Sequence, residues 1–111
     1  MAPTAVELQA ALNAIRQAAE TVKAYDLELI GAVEAAFAAH VDTIRQAEDL
    51  PAEAEARRER ILGQCASVSE AVGRARQYPE QAMARAAVLD RIGALARVIR
   101  ESLPLMAPPR N

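Results

Sequence analysis

The chain has no tryptophan, one phenylalanine, two tyrosines, one cysteine and one histidine, and Lys23 is its single lysine. Each scarcity excludes something. Cys65, alone, cannot close an intrachain disulfide, which points to a reducing compartment. One His and one Cys cannot make a zinc site without several carboxylates. A di-iron bundle needs two Glu-x-x-His motifs, which one histidine cannot supply. The four glycines, Gly31, Gly63, Gly73 and Gly93, fall within helical patterns, so none belongs to a phosphate-cradling loop. Ser67, Ser69 and Ser102 stand outside any His–Asp context. No apolar run approaches the roughly 18 residues of a membrane span. The opening MAPTAVELQAAL lacks a basic region and carries Glu7, unlike a secretory signal. The expectation is a cytoplasmic, non-enzymatic protein without metal, cofactor or membrane partner.

Alanine dominates what is present: 27 of the residues, within a 52% hydrophobic total. A chain of 111 residues is sized for one domain. Alanine is the best helix former but removes little apolar area from water, at ~25 cal/mol per Å². The composition therefore predicts helices whose interior is thin, completed by a second copy of the chain. Net charge is −2, yet the halves differ. Residues 1–55 hold ten acids and three bases (−7), and residues 56–111 hold five acids and ten bases (+5). Such polarity favours one half lying against the other, within a chain or between chains.

The patterning is helical throughout. Thr4-Ala-Val-Glu7 reads as a capping box. From there Leu8, Leu12, Ile15, Ala19, Val22, Ile30, Val33, Phe37, Val41 and Ile44 hold one helical face. Leu8 and Ile44 lie 36 residues apart, ten whole turns at about 3.6 residues each. That phase continuity predicts one long helix over residues 4–49, roughly 65 Å in length at 1.5 Å per residue. The alternative is a break near Tyr25-Asp26-Leu27-Glu28. Pro51 opens a second helix (51–77), with Ala54, Ile61, Cys65, Val68, Val72 and Ala75 on one face. Tyr78-Pro79 ends it and a third runs over 80–102, because a residue before proline avoids helical geometry. The fold expected is all-α: a long N-terminal helix followed by two shorter antiparallel ones, as a helical bundle or coiled-coil-like oligomer. Residues 1–103 form one domain, and the proline-rich 104–111 are an extended tail.

Twelve arginines raise the question of a phosphate surface, which needs positive charge but no fixed motif. In the third helix Arg85, Arg91, Arg97 and Arg100 spread around the axis and do not converge. Their stems can cover apolar surface while the heads stay wet. The candidates for DNA or partner contact are Arg57, Arg58, Arg60, Arg85, Arg97 and Arg100. Asp26 and His40 project into the first helix's apolar stripe, where a polar residue sets register or meets an arginine across an interface. His40 also raises a phosphotransfer bundle, but Val41, Asp42, Thr43 and Ile44 follow it where such domains place Lys and Gly.

The segment ARAAVLDRIGALARVIRESL, preceded by a helix that turns back and followed by a short proline-containing tail, resembles one family. Over about residues 51–111 the chain is similar to the oligomerisation region of small terminase subunits from tailed phages and gene transfer agents. The resemblance implies a multimeric DNA-packaging adaptor whose Leu103–Asn111 segment engages a large motor subunit. It also implies weak, non-specific DNA contact through the arginines above. The chain departs from the family in residues 4–49, where a helix-turn-helix would stand. The other readings are a helical secretion or flagellar chaperone, holding a partner helix against the long apolar stripe, and the phosphotransfer-type regulatory bundle.

Overall fold

The computed structural model describes residues 2–106. Four helices form most of it: α1 (Ala5–Glu20), α2 (Leu27–Gln46), α3 (Ala52–Gln77) and α4 (Ala82–Ser102). A 3-10 turn, Leu103–Met106, closes the described chain, and no strand occurs among these residues. None of the described helices is long and apolar enough to cross a membrane.

At the start of α1 the capping box is complete. The Glu7 amide donates to Thr4 Oγ1 at 3.1 Å, and the Thr4 amide donates to Glu7 Oε1 at 3.0 Å. The single long helix expected over 4–49 is corrected: it is two helices. After Glu20 the Thr21 and Val22 amides reach only three residues back, to the Ala18 and Ala19 carbonyls, so the last turn tightens. The Thr21 hydroxyl also donates to the Ala18 carbonyl, at 2.6 Å. Asp26 then opens α2 from an extended backbone, its carboxylate accepting from the Glu28 and Leu29 amides at 2.9 and 3.3 Å. A rod would leave its stripe bare, whereas folding it back sets α1 against α2 and buries both halves.

Two corners join the remaining helices. Between α2 and α3, Asp49 takes a left-handed conformation (φ 58°), a region that Asp tolerates better than most residues. Pro51 follows as the extended residue ahead of α3. Between α3 and α4, Tyr78 closes one helix and its carbonyl accepts from the Gln81 amide at 3.0 Å. Helix α4 packs chiefly on α3 and α1, while α2 meets α3 more lightly. The whole measures 53 × 22 × 19 Å with a radius of gyration of 14.4 Å.

The apolar interior closes within one chain, contrary to the expectation of a core finished by another copy. Leu12, Ile15, Val33, Ile44, Ile61, Val68, Val88, Leu95 and Ile99 are all fully buried. Only eight of the 25 buried apolar residues are alanine. Bulky aliphatics have thus been sorted inward, while twelve of the described alanines are exposed, where their helix propensity serves without burial. The expected tail is also revised at its start. Leu103 to Met106 form the 3-10 turn, and Met106 is buried against the core. Residues 107–111 of that tail lie outside the described residues.

Candidate functional site

The six arginines singled out from sequence do not form one surface, and four are engaged within the chain. Arg58 is buried on α3, donating to the carbonyl of Ala47 and pairing with Glu55. Arg57 is half-buried, 3.8 Å from Glu101 on α4. Arg100 lies 3.5 Å from Glu20 of α1, and Arg85 donates to the Pro79 carbonyl in the α3–α4 turn. For Arg58 the role is corrected outright: a buried guanidinium tying two elements together is not available to a phosphate. Arg60 and Arg97 are exposed and have no carboxylate at ion-pair distance among the described residues.

Asp26 does not set register inside an apolar stripe. It is exposed and caps α2, because the chain breaks just where the stripe would have carried it inward. His40 is half-buried on α2 between Phe37 and Ile44. The stripe that a chaperone would offer to a client helix is already spent: Leu8, Leu12, Ile15, Ile30, Val33, Phe37 and Ile44 all face this chain's own core.

Sequence reasoning missed a groove between α3 and α4, about 370 Å³ in volume. Its floor is small, with Ser67, Ala71, Ala84 and Ala87, so the two helices approach closely there. Arg74, Arg91, Glu70 and Met83 stand around it. Both arginines are exposed and, like Arg60 and Arg97, meet no carboxylate among the described residues. Met83 is 86% exposed, the most of any large apolar side chain described. The tight turn at Tyr78–Gln81 brings Arg74 and Arg91 to one groove. Pro79 signals such a turn, but the register of the two helices follows from packing.

A second depression, about 330 Å³, lies where α1 begins, the α2–α3 corner passes and the 3-10 turn ends. Leu8, Leu50, Pro51, Leu105 and Met106 give it an apolar lining, with Glu48 and Asp49 at its edge. Neither depression gathers catalytic groups. Among the described residues no three His, Cys, Asp or Glu side chains cluster to hold a metal. Cys65 is buried, and desolvation pushes its thiol up to about 11, with Arg45 opposing weakly. A thiol held there is not the thiolate that nucleophilic chemistry requires.

No family model, curated protein or solved structure matches the chain.

Proposed function

We propose that this chain is a self-associating helical adaptor that works through surface contact and carries out no chemistry of its own. The observation that carries this reading is the placement of two depressions on different elements: an arginine-flanked groove on α3–α4 and an apolar cleft beside the 3-10 turn. An adaptor needs two such faces, and the rigid core beneath them keeps them apart. Its helices alternate in direction in this reading, as Arg57 with Glu101 and Arg76 with Glu34 support. The apolar cleft is the face for another protein, because Leu50, Leu105 and Met106 line it and a polar edge of Glu48 and Asp49 can orient an apolar segment.

A photo-crosslinking residue placed at Leu105 tests this reading in the cells that make the protein. The expected outcome is a discrete adduct with a different protein that is missing when the same residue stands at exposed Ala66. No adduct from position 105 would remove the adaptor reading.

The small-terminase form of the proposal adds weak DNA contact, supported by Arg60 and Arg97, which are exposed and have no carboxylate at ion-pair distance among the described residues. Phosphate contact of that kind is indifferent to sequence and falls steeply with salt. Retention on duplex DNA at low salt, lost in Arg60→Ala/Arg97→Ala, is the expected result. Absence of retention at low salt would leave an adaptor between proteins only.

A further inference from the structure

The outer row of α2 reads Glu28, Ala32, Ala35, Ala39 and Asp42, every one exposed. The steps of four, three, four and three residues keep the row on one helical face. The outer row of α3 that borders the α3–α4 groove reads Arg60, Gly63, Ser67, Glu70 and Arg74, all exposed except half-buried Ser67. Its steps are three, four, three and four. Both rows thus span fourteen residues, about 21 Å at 1.5 Å per residue. One carries carboxylates at both ends and the other guanidiniums at both ends. In each, the residues next to the end charges and at the centre are small, Glu70 excepted.

From this match we propose that the outer face of α2 in one copy of the chain docks against the outer face of α3 in a second copy. Glu28 and Asp42 then meet Arg60 and Arg74, in either direction of approach, because both rows are charged alike at their two ends. The small residues between let the helices come close without a bulky knob in the way. Charge complementarity selects the occupant. Arg60 and Arg74 have no carboxylate at ion-pair distance among the described residues. Among the described residues the acidic surplus of residues 1–55 (−7 against +5) is met across the halves only at Glu20–Arg100, Glu34–Arg76 and Glu55–Arg58. Asp42 has a single exposed partner, Arg45 at 3.2 Å on its own helix, which an incoming guanidinium can displace at little cost. Each copy carries both halves of the contact, the condition for a reciprocal interface. The inference rests on the self-associating adaptor reading, and names the surfaces through which that association occurs.

Sedimentation equilibrium of the full chain, from micromolar to millimolar concentration and at low and high salt, tests it. The wild type is expected to self-associate and to do so less at high salt. Arg60→Glu/Arg74→Glu and, separately, Glu28→Arg/Asp42→Arg each weaken self-association by about tenfold or more. Mixed one to one, the two variants restore it as a heteromeric complex. Ala35→Gln keeps all charges but thickens the α2 row, and also weakens association; circular dichroism confirms that each exposed substitution leaves the helices intact. A wild type that stays monomeric throughout overturns the proposal, as does self-association that survives both charge reversals. A monomer leaves standing any adduct formed from position 105, whereas loss of that adduct alone removes the adaptor reading and leaves this contact in place.

Discussion

The guanidinium of Arg58, on α3, donates to the main-chain carbonyl of Ala47, the residue that closes α2. The last carbonyls of a helix have no intrahelical partner, and Ala47 is 5% exposed, so water does not readily replace the arginine. The same side chain pairs with Glu55 one turn back on α3. One residue therefore holds the α2–α3 corner together, where the two helices otherwise meet only lightly.

Replacing Arg58 by Met should keep the apolar stem and strand that carbonyl. Hydrogen bonds to charged groups contribute about 1.5–3 kcal/mol, so urea unfolding should show a loss of roughly 2 kcal/mol. The exposed Arg60→Met change should stay within about 0.5 kcal/mol. Equal costs for the two variants would mean that Arg58 is not tying the corner.

Asp26 offers a test of where the chain breaks. As the cap of α2 it should lose about 1 kcal/mol on replacement by Ala and little on replacement by Ser or Asn, which cap equally well. A register-setting buried Asp would behave differently: Ala would be tolerated or stabilising, because an uncompensated polar group would leave the interior. Thermal unfolding of the three variants separates the two roles.

The same residue shows how far the sequence could be read. Helical character, the Thr4–Glu7 box and the proline corners are local, and local chemistry reports them directly. The break before Asp26 is not encoded in phase, because α1 and α2 each turn a stripe inward and a six-residue connection happens to keep the two in step. The better signal was Asp26 itself, a good cap followed by acidic Glu28 in the first turn. Composition misled over the core. Counting 27 alanines suggests a thin interior, but position decides burial, and only eight of the described alanines are buried. The arginine surface was least legible, since whether Arg58 is buried and Arg74 free depends on which helices become neighbours.

Asp49, at the same corner, sits at a φ of 58°. Left-handed geometry costs a residue with a Cβ roughly 1 kcal/mol, and Asp recovers part of that through local hydrogen bonding. Asp49→Gly should therefore raise stability by up to about 1 kcal/mol, and Asp49→Val should lower it by at least as much. Chemical denaturation of both variants checks the sign, and stabilisation by valine would contradict the geometry.

Two helical glycines should be improvable without touching function. A Cβ built at Gly31 of α2 or Gly93 of α4 meets nothing within 4 Å, and neither residue has a positive φ. Each Gly→Ala change should add about 1 kcal/mol of helix stability. The sites lie on different helices, so the double variant should gain nearly the sum. A loss at either position would show that the space around it is filled in solution, by a second chain or by a partner.

Cys65 links stability to alkaline pH. Its thiol is held up to about 11 by burial, against an ordinary value of 9.0. The unfolded chain therefore releases this proton at lower pH than the folded chain does. Below about 9 both states keep the proton and the contribution is constant. Between about 9 and 11 the unfolded state ionises while the folded state cannot, so stability must fall as pH rises, by roughly 2 kcal/mol over the interval. Cys65→Ala should be less stable at neutral pH by its lost packing, yet its stability should decline less steeply over the same range. Denaturation curves at several pH values, wild type against variant, isolate that difference from whatever the two chains share. Parallel curves would mean the thiol is not buried in solution, and rapid alkylation at neutral pH would say the same by an independent route.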